Sequence, residues 1–172
     1  DVTVIRDIIK VPSVRSRELM EGYLWLRASQ FQRDTGLEAI ATLVKAQAED
    51  PLKGVVIDLR NNPGGVLGAS VDMAGAVLDG GLVVYTEGRH PQAADQYEAE
   101  AGDMLNGAPI VVLINGGSAS ASEIVAGALQ DRRRAVIMGT RSFGKGSVQT
   151  ILPVNDTRAV KLTTALYYTP SG

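Results

Sequence analysis

Small residues and hydroxyl groups cluster in the segment NGGSASASEI, residues 115–124. Its three serines, Ser118, Ser120 and Ser122, lie between an apolar run that ends at Ile114 and a segment with helical spacing. A turn from a strand to a helix can present a serine as a nucleophile, and the backbone N–H of the next residue can then stabilise an oxyanion. Serine is also a favoured helix cap, so this segment alone leaves both roles open.

A lysine lies in the glycine-rich segment GTRSFGKGSVQT, residues 139–150. Gly139, Gly144 and Lys145 match the G-x-x-x-x-G-K part of a phosphate-binding loop. That loop requires a serine or threonine directly after the lysine and a helix that faces the phosphates. Gly146 follows instead, and the next residues alternate like a strand, so nucleotide binding is disfavoured. An exposed lysine in a hairpin and a lysine that acts as a base both remain open.

A serine nucleophile needs a base, and the chain has a single histidine, His90. His90 lies in the polar segment EGRHPQ without the carboxylate of a triad, so we expect a solvated loop residue. A lysine has a reference pKa of about 10.4, so burial must keep it neutral if it is to accept a proton at neutral pH. Phe143, Val148 and Ile151 are expected to provide that apolar wall around Lys145, and TRSFGKGSVQ contains no acidic residue that would favour the charged form.

A third segment, DLRNNPGG at residues 58–65, follows the buried strand predicted at residues 53–59. Open α/β sheets bind their ligands at the carboxyl ends of the strands. Gly64 and Gly65 lack a Cβ atom and can bring backbone N–H groups close to a ligand, although a tight turn alone would also use them.

Strands and helices alternate along the chain and would position these three segments. Apolar runs predict strands at 22–29, 53–59, 82–86, 109–114 and 135–139, whereas helical spacing occurs at 35–44, 70–78 and 121–130. Thr35 and Glu38 have the spacing of a capping box for the first helix. The alternation predicts an α/β fold with mostly parallel core strands and crossover helices.

The composition is that of a globular protein, with 172 residues, 45% hydrophobic and 21% charged residues. Its net charge is −2, and the only tight basic cluster is Arg132 to Arg134, so nothing indicates a nucleic-acid partner. No apolar run approaches the roughly 20 residues of a membrane span. The absence of cysteine excludes disulfides, thiol catalysis and cysteine metal sites.

The three segments, taken in order, resemble the motifs of the carboxyl-terminal processing proteases, also called tail-specific proteases. These are serine peptidases with a Ser-Lys dyad. KVPSV and DGGLVVYT also fit the family, so the resemblance covers nearly the whole chain.

The resemblance implies a role for individual residues. Ser120 would be the nucleophile and Lys145, 25 residues later, the base. Gln149 would orient or assist that lysine, and Asp131 would have a structural role. With these assignments, the N–H groups of Ala121 and of Gly64 or Gly65 are the expected oxyanion donors, and no metal or organic cofactor is needed.

The resemblance also implies a setting for the chain. It predicts a crotonase/ClpP-like core with flanking β-strands over residues 1–172, in which residues 1–8 are the closing strand of a PDZ domain. That domain would act in cis and read the C-terminal residues of the substrate. The family further implies the bacterial periplasm or cell envelope, or a thylakoid lumen, together with an activating partner protein or a homo-oligomer as candidate partners.

The function expected from the resemblance is a serine endopeptidase that cleaves proteins at or from their C-terminal region through an acyl-enzyme. Two other classes remain open. One is a noncatalytic peptide-binding scaffold on the same fold. The other is a crotonase-type acyl-CoA enzyme, which shares an oxyanion hole formed at strand ends but does not need a Ser-Lys pair.

Overall fold

The computed structural model describes residues 11–172, so the predicted PDZ strand at residues 1–8 lies outside the described part of the chain. Residues 11–172 form nine strands and three α-helices. No helix in this range is both long enough and apolar enough to span a membrane. The elements in chain order are β1 (Val14–Met20), β2 (Tyr23–Ala28), α1 (Thr35–Glu49), β3 (Gly54–Asp58), α2 (Leu67–Gly75), β4 (Gly81–Gly88), β5 (Asp95–Ala99), β6 (Ile110–Ile114), α3 (Ala121–Asp131), β7 (Ala135–Gly139), β8 (Ser147–Asn155) and β9 (Arg158–Tyr168).

The main sheet has the strand order β1-β2-β3-β6-β7. All its neighbouring pairs are parallel except β1 with β2, which is an antiparallel hairpin at one edge. The central strands β3 and β6 are short and apolar, and Ile57 and Val112 pair with each other there and are both buried. Buried parallel strands read as continuous apolar runs, which is why the sequence predicts them well.

A second sheet has the strand order β5-β4-β9-β8 and is antiparallel throughout. The strand predicted at residues 82–86 lies within β4 and therefore belongs to this sheet. The predicted α/β fold, with a mostly parallel core and flanking strands, is confirmed. β8 is an edge strand of the second sheet, and Lys145 and Gly146 directly precede it.

The helices bury one face each in a shared core. Ile124 and Leu129 on α3 are almost fully buried, as are Met73 and Ala74 on α2. At the start of α1 the predicted capping box is wrong, because Asp34 occupies the cap position and Thr35 is the first helical residue.

Thr35 and Glu38 both bind Ser13, from outside the helix. Ser13 Oγ lies 2.7 Å from Thr35 Oγ1 and donates to Glu38 Oε2 at 2.8 Å. Thr35 Oγ1 also accepts the N–H of Gln32 at 2.8 Å. The two side chains therefore attach the start of α1 to the segment before β1 instead of capping the helix.

The topology brings two loops to one edge of the main sheet. β3 and β6 are neighbours and parallel, with Asp58 in register with Leu113, so the loops that follow them start side by side. These loops carry the segments 58–65 and 115–124. Loops at the carboxyl ends of adjacent parallel strands form the ligand site in open α/β sheets, and these two loops line part of one cleft.

Candidate active site

Ser120 lies at the turn between β6 and α3 in a strained backbone conformation. Its φ is 56° and its ψ is −116°, and it directly precedes Ala121, the first residue of the helix. Positive φ is uncommon for a residue other than glycine, and a sharp, strained strand-to-helix turn exposes the nucleophilic serine of α/β-hydrolases. The side chain also lies at the positive end of the α3 dipole.

The three serines of this turn have different environments. Ser118 and Ser122 are fully buried. Ser118 Oγ donates to the carbonyl of Leu59 at 2.8 Å, and Ser122 Oγ donates to the carbonyl of Asn62 at 3.0 Å. Both hydroxyl groups therefore fasten the turn to the loop after β3. Only Ser120 is partly exposed, which leaves it as the candidate nucleophile of the three.

Gly64 and Gly65 lie so close to atoms of neighbouring segments that a side chain would not fit at either position. A Cβ atom on Gly64, whose φ is 93°, would lie 2.5 Å from the carbonyl oxygen of Ala119 and 2.7 Å from Ser120 Cβ. A Cβ atom on Gly65, whose φ is 145°, would collide with the backbone of Phe31. The loop after β3 thus packs directly against the Ser120 turn.

The backbone N–H groups of Gly64, Gly65 and Ala121 differ in their hydrogen-bond partners. Gly64 N–H donates to Oδ1 of Asn62 at 2.9 Å, and the Asn62 side chain is fully buried. The N–H groups of Gly65 and Ala121 donate to no acceptor within residues 11–172. Of the two glycines predicted as alternatives for the oxyanion donor, Gly65 is therefore the one whose N–H is available.

The loop after β3 is anchored by a buried carboxylate. Asp58 is fully buried, and its oxygens accept from Arg60 Nη2 at 2.7 Å and Nε at 2.9 Å, and from Arg27 Nη1 at 3.2 Å. Burial alone would raise the pKa of Asp58, but the hydrogen bonds from Arg60 and the charges of Arg60 and Arg27 outweigh it and lower the pKa.

Two asparagines join this loop to the loop after β6. Asn115 Oδ1 accepts the N–H of Asn61 at 2.9 Å, and Asn115 Nδ2 donates to Asn61 Oδ1 at 3.0 Å. Asn61 has a φ of 58°, a conformation that asparagine tolerates better than most residues. The loops that carry Gly64 and Ser120 are thus held in a fixed relation.

Lys145 and Ser120 line one cleft of about 590 Å³. Gly64, Gly65 and Gln149 line the same cleft, so the structure brings together five of the six predicted site residues there. The sixth, Ala121, is buried directly behind Ser120. Tyr167, Ile124, Val148, Ile151 and Lys161 contribute further to the walls.

The side chains predicted to surround Lys145 are only partly in place. Val148 and Ile151 line the cleft, but Ile151 is 66% exposed. Phe143 is 70% exposed and is not among the residues that line the cleft, so the prediction for Phe143 is wrong. The backbone of Phe143 is bound to the nucleophile turn, where its N–H donates to the carbonyl of Ser118 at 2.9 Å. Within residues 11–172 no hydrogen bond joins Ser120 Oγ to Lys145 Nζ.

Glu123 connects the nucleophile turn to the lysine segment. Its Oε2 accepts the N–H of Ser120 at 2.8 Å and the N–H of Lys145 at 2.9 Å. Its Oε1 accepts Ser142 Oγ at 2.7 Å and the N–H of Gly144 at 2.6 Å. Four donors thus converge on one carboxylate, which gives Glu123 a central place in the site.

Glu123 was not predicted from the sequence, and it brings a carboxylate to a lysine segment that itself contains no acidic residue. The S-x-x-E spacing from Ser120 to Glu123 is a capping-box signal, which could have indicated the bond to Ser120. The bonds to Gly144 and Lys145 span more than 20 residues, so no local pattern could have indicated them.

Gln149 lines the cleft, whereas His90 does not. Gln149 is exposed on β8, and no hydrogen bond to Lys145 is present within the described residues. His90 lies outside the cleft in an exposed turn, where its Nδ1 accepts the N–H of Gln92 at 3.3 Å. Among residues 11–172, no three histidine, aspartate or glutamate side chains are grouped so as to hold a metal ion.

Asp131 lies at the end of α3 and holds the last residues of the chain. Its Oδ2 accepts the N–H of Ser171 at 2.9 Å. Burial would raise the pKa of Asp131, but hydrogen bonds from Thr169 and Ser171 outweigh it and lower the pKa. These contacts are consistent with the structural role that the resemblance implies.

Comparison with known proteins identifies the family. Residues 22–172 match the family model described as Peptidase family S41. The chain belongs to peptidase family S41. The predicted resemblance to the carboxyl-terminal processing proteases is thereby confirmed.

Individual relatives of this S41 chain are described as carboxyl-terminal processing proteases. A carboxy-terminal-processing protease of Bartonella bacilliformis is 52% identical over 176 residues, which cover 100% of this chain and 40% of that protein. A carboxyl-terminal-processing protease of Synechocystis is 40% identical over 146 residues, which cover 85% of this chain and 34% of that protein. The chain thus spans about two fifths or less of the length of these curated relatives.

A chloroplast relative and a solved structure extend the comparison. The C-terminal processing peptidase of Tetradesmus obliquus, described as chloroplastic, is 38% identical over 149 residues, which cover 86% of this chain and 32% of that protein. The structure of the photosystem II D1 C-terminal processing protease matches with a TM-score of 0.81 and 33% identity, over 95% of this chain and 45% of that one. The S41 fold of this chain is therefore established.

Proposed function

We propose that the protein is a serine endopeptidase that cleaves protein substrates at or from their C-terminal region, with Ser120 as the nucleophile and Lys145 as the base. The observation that carries this proposal is that a strained Ser120 and Lys145 line one cleft while a single carboxylate, Glu123, binds the backbone of both. Family membership and the names of the relatives support the same activity.

The reaction would proceed through an acyl-enzyme. Ser120 Oγ attacks the carbonyl carbon of the scissile peptide while Lys145 Nζ accepts the serine proton. The N–H groups of Gly65 and Ala121 stabilise the negative oxygen of the tetrahedral intermediate. Lys145 then protonates the leaving amine, and a water molecule hydrolyses the ester on Ser120, with Lys145 again as the base.

The lysine side chain must move before the first step. Ser120 Oγ and Lys145 Nζ are not hydrogen-bonded within the described residues, and catalytic hydrogen bonds often tighten only when substrate is bound. Because the backbone N–H of Lys145 is fixed by Glu123, we propose that the movement is a reorientation of the lysine side chain. Gln149 faces the same cleft from β8, and we propose that it directs the lysine amine towards Ser120.

The substrates, the partners and the location of the whole protein are also proposed. Its substrates would be proteins or peptides with accessible C-termini, selected by a PDZ domain in cis. An activating partner protein and a homo-oligomer are the proposed further partners. Relatives occur in bacteria, cyanobacteria and chloroplasts, which supports a location in the periplasm or cell envelope.

The test is proteolysis of an unfolded protein with a free C-terminus by the full-length enzyme. Ser120→Ala and Lys145→Ala are each expected to lower kcat by about 1000-fold or more. When residues act as one catalytic unit, the loss of either residue removes most of the rate enhancement of the unit. Ser16→Ala and Lys45→Ala, two exposed residues outside the cleft, serve as matched controls. Undiminished turnover in either cleft variant would contradict the proposal.

A further inference from the structure

Tyr167 lines the cleft that holds the two proposed catalytic residues. Its hydroxyl group donates a hydrogen bond to the backbone carbonyl of Lys145. One side chain thus faces the cleft of Ser120 and binds the segment that carries the proposed base.

We propose that Tyr167 is a positioning residue, whose hydroxyl group and backbone N–H hold the Lys145 segment in place relative to Ser120 in the same cleft. The inference rests on the proposed function, because a fixed separation of these residues matters only if they react together. It adds a residue from β9, the strand that pairs with β8, and β8 begins two residues after Lys145.

The backbone of Tyr167 strengthens this connection. Its N–H donates to the carbonyl of Gly146 at 2.9 Å, so Tyr167 binds two successive carbonyl groups, those of Lys145 and Gly146. Lys145 is flanked by Gly144, with a φ of 88°, and by Gly146, and glycine restricts the backbone least of all residues. Without such bonds, the lysine segment would sample many conformations at an entropic cost to the reaction.

The single proton of the phenol is committed to the lysine segment. A phenol has one proton to donate, and a carbonyl oxygen can only accept, so the Tyr167 proton is used by the backbone carbonyl of Lys145. The phenol thus restrains the backbone from which the Lys145 side chain extends.

Tyr167 acts in this account as a neutral group and not as a base. Burial raises its pKa, the nearby charge of Glu123 raises it further, and the nearby Ser120 hydroxyl lowers it by less. The phenol therefore keeps its proton at neutral pH. Its partly buried ring also packs against the hydrophobic core, which restricts the position of the hydroxyl group.

Tyr168 offers a matched control on the same strand. Successive side chains of a strand point to opposite faces, and the Tyr168 ring stacks on Tyr85 with centroids 5.0 Å apart and an interplanar angle of 15°. Tyr168 does not line the cleft. Tyr168→Phe thus removes the same atom as Tyr167→Phe, but at a place where no role in the reaction is proposed.

The experiment compares the steady-state kinetics of the two variants in the full-length protein. Tyr167→Phe is expected to lower kcat by about 10- to 100-fold with KM within about twofold, because small displacements of reacting groups cost that much. Tyr168→Phe is expected to leave both constants unchanged. A Tyr167→Phe variant with kcat within about twofold of the wild type, with a raised kcat, or with a change in KM alone would overturn the inference.

Two further measurements distinguish a positioning role of Tyr167 from two other causes of a lower kcat, which are loss of folding and failure of the proposed function. Thermal unfolding identifies a temperature at which Tyr167→Phe is fully folded, and the rate at which a fluorophosphonate labels Ser120 is then compared there. Labelling as fast as in the wild type would overturn the inference. Ser120→Ala and Lys145→Ala are measured in parallel: if they keep full activity, the proposed function fails, whereas if they lose it and Tyr167→Phe does not, only the role of Tyr167 fails.

Discussion

The Glu123 carboxylate accepts the backbone N–H of Lys145 at 2.9 Å across 22 residues of sequence. The same oxygen accepts the N–H of Ser120 at 2.8 Å. Glu123 lies in the first turn of α3, the helix that begins directly after Ser120. One helix therefore restrains the backbone of both proposed catalytic residues.

Glu123→Gln is expected to lower kcat and stability together. Each carboxylate oxygen accepts two donors, and an amide would place its NH₂ group against one of those pairs. We expect a loss in kcat of about 10- to 100-fold, with a loss in the free energy of unfolding of about 1–3 kcal/mol. Steady-state kinetics and denaturant unfolding measure the two effects.

The control for this prediction is Glu98→Gln, an exposed residue on β5. It removes a charge of the same kind outside the cleft and should change neither quantity appreciably. If Glu123→Gln were as active as Glu98→Gln, the proposed role of the carboxylate would be wrong.

Gly64→Ala is expected to disrupt the site through a steric clash. Its Cβ atom would lie 2.5 Å from the carbonyl oxygen of Ala119 and 2.7 Å from Ser120 Cβ, in addition to the strain of a positive φ. Gly107→Ala is the matched control, since Gly107 also has a positive φ, 82°, but has nothing within 4 Å of a Cβ atom. Both variants carry backbone strain, so only the loss of activity in Gly64→Ala beyond that of Gly107→Ala measures the clash. Equal activities would contradict the close contact.

The lowered pKa of Asp58 predicts a loss of stability in acid. A carboxyl group whose folded-state pKa is lowered stabilises the fold above its unfolded pKa of about 3.9, and this contribution disappears as the pH falls through the folded value. Asp58→Asn should therefore destabilise the protein at pH 7 and should do so much less at pH 2. Urea unfolding at the two pH values measures the difference.

Asp156→Asn, in the exposed turn between β8 and β9, is the control for the Asp58 prediction. Its cost should be small at both pH values. A cost of Asp58→Asn that does not change between pH 7 and pH 2 would argue against the ion pairs with Arg60 and Arg27 as the source of the stability.

Much of the fold could be predicted from the sequence because the buried strands are short apolar runs between glycine-rich turns. Val55 and Ile57 on β3 and Val112 on β6 are buried as that pattern requires. The position of β4 in the antiparallel sheet could not be predicted, because it depends on pairing with β9, about 80 residues later. Thr35 also departs from its local pattern, because Ser13 binds it from outside the helix.

The candidate site was predictable where glycine and serine lie in motifs at strand ends. Gly64, Gly65, Ser120, Lys145 and Gln149 line the cleft together. The contacts that hold them were not predictable. Glu123 and Tyr167 reach the lysine segment only through the packing of α3 and β9 against it.

The central claim is that Ser120 is the nucleophile and that Lys145 activates it. The most direct measurement is the labelling of the full-length protein with a fluorophosphonate, with the modified residue identified by mass spectrometry and the rate measured in the wild type and in Lys145→Ala. The account predicts that Ser120 alone is labelled and that Lys145→Ala slows its labelling by about 1000-fold or more. Labelling of a different serine, or labelling of Ser120 at the wild-type rate in Lys145→Ala, would contradict it.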